Sequence, residues 1–166
     1  ASMSGACLIL ISILWAEILP SKAPKSNLIG TQGLEIEEAL SESIKNELAW
    51  GSKLILTATP AATILVIWRN KTILKRGIIT NETFTIGDIT KQSISSNKKI
   101  VLGKLSIYPG RQEFDSIVKD LPSIIISPLS DDGAVIVGGF SERCFTKSDE
   151  KWIEGWTDKI NSLLSI

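Results

Sequence analysis

The side chains best suited to chemistry are few in this sequence, and the most useful one is missing. The 166 residues contain no histidine. That removes the commonest general base, the commonest metal ligand and the usual haem ligand. A Ser-His-Asp triad and a Cys-His dyad are both excluded. The two cysteines, Cys7 and Cys144, lie in unrelated contexts and suggest neither a disulfide framework nor a zinc site. Cys144 reads as a small buried side chain rather than a reactive thiol. Asp131 and Asp132 are adjacent, but no ligand spacing follows them, so they read as a solvated turn. Gly138 and Gly139 follow an apolar run without a GxGxxG or phosphate-loop pattern, which points to close backbone approach. Trp152 and Trp156 share a helical face and are expected to pack in the core. No catalytic residue, no metal ligand and no identifiable cofactor-binding residue emerges, so the chain is expected not to be an enzyme.

The composition agrees with a binding role. Lys plus Arg and Asp plus Glu both number 18, a balance that argues against nucleic acid. Residues 61–120 carry ten basic and five acidic side chains, while residues 121–166 carry four and seven. The middle of the chain is therefore suited to an acidic partner or lipid head groups, with a mixed solvated surface as the plainer alternative.

Residues 1–20 are expected to form a membrane helix. Leu8, Ile9, Leu10, Ile11, Ile13, Leu14, Ile18 and Leu19 supply eight strongly apolar positions, and Trp15 suits an interface. Their insertion is worth roughly −4 kcal/mol, against at most about +3 kcal/mol for Glu17. Nineteen helical residues reach about 28 Å, enough for the hydrocarbon core. Glu17 is either paired with a partner's cation or snorkels to the interface. Lys22 and Lys25 place the following domain on the cytoplasm-equivalent side.

Residues 21–27 read as a linker, and residues 28–166 as one α+β domain. Apolar spacing and early glutamates predict a helix over 36–53. TILVIWR (63–69) and the stretch from Lys71 predict a hairpin turning at Asn70–Lys71. Residues 80–99 read as a polar loop. Residues 100–108 read as a strand and 111–121 as a short helix. SIIISPL (123–129) and AVIVGGF (134–140) form a second hairpin. Thr146 and Asp149 make a capping-box pattern that opens a helix with Trp152, Ile153, Trp156, Ile160, Leu163 and Leu164 on one face. The sum is a five-stranded, mostly antiparallel sheet covered on one face by the N- and C-terminal helices. The other face is expected to be free for a ligand or partner.

SNLIGTQGLEI (26–36), LPSIIISPLSDDGAVIVGG (121–139), FTKSDEKWI (145–153) and the stretch 47–78 resemble the family of "cofactor assembly of complex C" proteins. WAEILP (15–20), closing an apolar helix ahead of the domain, is similar too. The resemblance implies a GAF-like domain at the chloroplast or cyanobacterial thylakoid membrane, on the stromal or cytoplasmic side. It implies a role in attaching haem to cytochrome b6 during assembly of the cytochrome b6f complex. Family members usually carry two membrane helices, and only the second has a counterpart here. The partner is expected to be an integral membrane photosynthetic complex, a cytochrome b6f precursor or photosystem I, together with thylakoid lipids. Contact with a partner's haem, chlorophyll or carotenoid would follow from such docking. Glu17, Phe84, Lys98 and Lys99 are the candidate partner contacts. Two other roles compete: a permanent photosystem accessory subunit, and a GAF-type small-molecule sensor with a pocket on its sheet.

Overall fold

A computed structural model describes residues 24–166; the expected membrane helix, Glu17 included, lies outside the described residues. Among the described residues no helix is long and apolar enough to cross a membrane. The domain is built on a six-stranded sheet in the order β1-β3-β2-β6-β5-β4. Its strands are β1 (Thr31–Ile36), β2 (Ala61–Trp68), β3 (Lys71–Ile79), β4 (Ile100–Leu102), β5 (Ser123–Leu129) and β6 (Gly133–Gly139). Every neighbouring pair is antiparallel. The helices are α1 (Glu42–Ala58), α2 (Asp88–Ser96) and α3 (Lys147–Leu164).

Both hairpins form where the apolar runs put them. Strands β2 and β6 are buried along their whole length because each sits mid-sheet with a layer on either face. Side chains alternate with period two. Ile64, Val66, Val135 and Val137 face α1 and α3, while Leu65, Ile67, Ala134 and Ile136 face the opposite layer. The first hairpin turns at Arg69–Asn70, one residue earlier than expected, with both residues at positive φ. That geometry matches the right-handed twist of the strands.

The sheet has one more strand than expected. β1 lies at an edge, where TQGLEI needs little apolar alternation, and it takes the first residues of the segment read as helix. α1 accordingly starts at Glu42. Glu37 precedes it and pairs instead with Lys71 at 2.7 Å. The strand expected over 100–108 stops at Leu102 and gives way to a 3-10 turn at Leu105–Ile107. Only Arg111–Phe114 of the expected helix over 111–121 is helical, again as a 3-10 turn.

The second sheet face is not free. Phe84, Leu102, Leu105, Phe114, Ile117, Val118 and Leu121 fill it. The segment read as a polar loop contains α2, whose start is fixed from a distance. The Glu113 carboxylate accepts the backbone N–H groups of Ile89 (2.9 Å) and Thr90 (3.1 Å), and also the Thr90 hydroxyl. This satisfies helix-end donors that no local cap reaches. Asn97, at φ +51, closes the other end. α3 opens as read: Asp149 N–H donates to Thr146 Oγ1 (3.1 Å) and Thr146 N–H donates to Asp149 Oδ2 (2.8 Å).

Candidate functional site

Helices α1 and α3 lie side by side on the sheet and leave a groove between their outer faces. The Glu47–Lys159 ion pair (3.0 Å) bridges them near one end. Gly51 sits beneath the Trp156 indole, so the helices approach closely there. Trp50, Leu54 and Ala58 follow one another at four-residue intervals and so line one wall. Trp152 and Gly155 line the facing wall, and the groove measures about 420 Å³. Trp50 is 60% exposed, Leu54 47% and Trp152 71%. Large aromatic side chains rarely stand clear of a packed domain, and each can bury roughly 150–250 Å² against a partner. Lys53 and Lys151 are exposed beside them. Among the described residues neither makes an ion pair.

The sequence expectation for Trp152 is corrected here. Trp156 is buried under α1, but Trp152 points away from the core, because the buried stripe of α3 is Ile153, Trp156, Thr157 and Ile160. Trp50 is a surface residue that the sequence reading misses.

The candidate contacts in the 80–99 segment separate into three cases. Phe84 is 4% exposed and stacks against Phe114 at 6.3 Å, so it is a core residue and not a surface contact. Lys98 is exposed. Lys99 is engaged within the domain by Glu154 (2.8 Å) and Glu150 (3.5 Å). Replacing 80–99 wholesale by a flexible linker would therefore remove part of the core together with any surface.

Asp131 and Asp132 occupy an exposed turn, as read. With Asn70, Asp88 and Lys91 they border an open cleft of about 930 Å³ at the end of the sheet. Among the described residues no group of three His, Cys, Asp or Glu side chains could hold a metal ion. Cys144 is half-buried rather than buried, with Sγ 3.4 Å from Ser123 Oγ. Gly138 and Gly139 do allow close approach: a Cβ on Gly138 would come within 2.8 Å of Leu121.

The Lys99 cluster makes a pH prediction. The Lys99 hydrogen bond holds the Glu154 carboxyl below its ordinary 4.5, and the same bond holds the Lys99 amine above its ordinary 10.5. Glu154 thus contributes stability that is present above pH 4.5 and lost as pH falls through its lowered value. Lys99 contributes stability that is complete below pH 10.5 and lost as pH rises through its raised value. Lys99→Met is expected to cost about 1–2 kcal/mol at neutral pH, between an exposed pair and a buried one, because Glu150 is 4% exposed and keeps only Lys147. Urea unfolding at neutral pH and well below pH 4.5 checks this: the gap between variant and wild type must narrow in acid.

Comparison with known proteins gives a family and a fold. The family model for cofactor assembly of complex C, CCB2/CCB4, matches residues 1–160. The chain is 25% identical, over 94% of its length, to the chloroplastic cofactor assembly of complex C protein CCB4 from Arabidopsis thaliana, of which it spans 57%. Among solved structures it is similar to the GAF domain region of a putative membrane protein from Geobacter sulfurreducens PCA. That match has a TM-score of 0.59 and 10% identity, and covers 74% of this chain and 95% of that one. The cyanobacteriochrome TePixJ GAF domain matches with a TM-score of 0.56 and 8% identity, over 76% of this chain and 91% of that one. At such identities the likeness speaks for the fold alone, which is GAF-like.

Proposed function

The chain belongs to the CCB2/CCB4 family of cofactor assembly of complex C proteins, and from that premise we propose that it is a non-enzymatic docking protein of the thylakoid membrane. Its domain faces the stroma, or the cytoplasm in a cyanobacterium, and it serves the attachment of haem to cytochrome b6 by binding a precursor of the cytochrome b6f complex. The chloroplast relative from Arabidopsis supports that placement. The apolar run Leu8–Leu19 supports a membrane tether. The observation that carries the reading is the Trp50–Trp152 face. The sheet is packed on both sides, and the large apolar surface left over lies on the outside, between α1 and α3. A domain organised in this way works by burying a surface rather than by enclosing a small ligand.

Density-gradient separation of gently solubilised thylakoids tests the reading. The chain is expected with cofactor-poor cytochrome b6 precursors, in less than one copy per mature cytochrome b6f complex. Recovery at one copy per mature photosystem I would overturn it in favour of a resident accessory component of that photosystem.

A further inference from the structure

The described chain enters the domain beside the tryptophan groove. Ser26 N–H donates to the Phe140 carbonyl (2.7 Å), and the Lys25 ammonium lies 5.4 Å from the Phe140 ring centre. Phe140 N–H in turn donates to the Pro60 carbonyl (3.2 Å). Pro60 directly follows Thr59, which lines the groove together with Trp152. The apolar run ends at Leu19, so only residues 20–25 separate it from this point, and six extended residues reach at most about 22 Å. If the run lies in a bilayer, as the function proposed above requires, the Thr59 end of the groove is held within that distance of the membrane surface.

The groove has the chemistry of an interfacial surface. Tryptophan is the side chain most at home at the headgroup level, and lysine beside it reaches anionic phosphates. Trp50, Leu54 and Trp152 supply the first element, and Lys53 and Lys151 the second. The acid of the groove lining, Glu47, is already neutralised by Lys159. Gly155 adds an independent observation. It stands exposed in the second turn of α3, where glycine is a poor helix residue. A Cβ there would meet nothing within 4 Å, so no packing inside the domain calls for glycine. Its absence of side chain keeps the strip beside Trp152 low, which matters only when something lies against it.

We infer that the Trp50–Leu54–Trp152 face of α1 and α3 seats on the headgroup region of an anionic bilayer, next to the N-terminal apolar run. The inference rests on that run being membrane-inserted. The test uses the full chain with Trp15→Phe, reconstituted into phosphatidylcholine–phosphatidylglycerol vesicles whose acyl chains are brominated to quench indole fluorescence. Trp68 and Trp156 are buried, so lipid-accessible emission comes from Trp50 and Trp152. About half of the emission is expected to be quenched, and that component should vanish in the Trp50→Phe, Trp152→Phe chain. Gly155→Asp, which sets a charge on the face without a clash, should also reduce quenching severalfold while the chain resists an alkaline wash. Two results overturn the inference with the tether intact: quenching by aqueous acrylamide alone, which leaves the face in water, or protection from both quenchers, which assigns it to another protein or a second copy. Release of the chain by the alkaline wash is a different failure, that of the membrane tether itself.

Discussion

Phe114→Ala is expected to destabilise the domain by about 3–5 kcal/mol. At roughly 2–4 °C per kcal/mol for a domain of this size, that lowers the melting temperature by about 6–20 °C. Phe114 is among the largest fully buried side chains, and its ring stacks on Phe84 with 11° between the planes. The backbone immediately before it carries Glu113, whose carboxylate holds the start of α2. Truncation therefore removes packing and loosens a helix together. A thermal melt followed by circular dichroism measures the loss. Phe84→Ala should cost a similar amount, and the double variant should fall short of the sum by about 0.5–1.5 kcal/mol, the share that belongs to the ring pair itself. The result bears on function, because this aromatic pair occupies the sheet face on which a sensor domain would need room for a ligand. A variant stable to within about 1 kcal/mol would mean that the layer is loosely packed, and it would reopen that face as a site.

The features legible in the sequence are those whose causes are local. Strands β2 and β6 are continuous apolar runs bounded by turn residues, and α3 carries its own capping box. α2 has no such signal. DITKQSISS holds only two isoleucines, and the group that starts the helix, the Glu113 carboxylate, lies more than twenty residues away. β1 is an edge strand with mostly exposed side chains, so neither alternation nor burial marks it. The hidden α2 has one consequence. Without a helix over 80–99, the second sheet face reads as open, although the apolar residues that cover it, from Phe84 to Leu121, are all visible in the sequence.

The candidate surface is half legible. Trp152 stands out, but a tryptophan one residue from a buried stripe gives no sign of which side it falls on. Trp50 and Leu54 do carry a signal: they repeat at i and i+4 on a face of α1 other than the one marked by Leu48 and Ile55. A second apolar stripe on a helix that already has a core face is a mark of docking. Lys98 and Lys99 are adjacent and alike in sequence, and what separates them is Glu154, 55 residues further on.

Gly51→Leu is expected to destabilise the domain by about 3 kcal/mol or more, the upper part of the range for overpacking. Helix propensity alone argues the opposite, since a glycine inside a helix costs about 1 kcal/mol relative to alanine. The contact decides the sign. A Cβ on Gly51 would overlap Trp156 Nε1 and come within 2.5 Å of Cε2. The indole cannot retreat, because it is packed between α1 and the sheet as part of one core cluster. The helices would have to separate, and Trp156 Nε1, buried without a hydrogen-bond partner, would gain none in exchange. Gly155→Ala isolates the other half of the argument. It lies across the same groove with nothing within 4 Å of its Cβ, so propensity acts unopposed and stability should rise by about 1 kcal/mol. Two glycine substitutions on one helix pair are thus expected to move the urea midpoint in opposite directions. If Gly51→Leu proved neutral, α1 would not be seated on Trp156, and the groove built between the two helices would lose its floor.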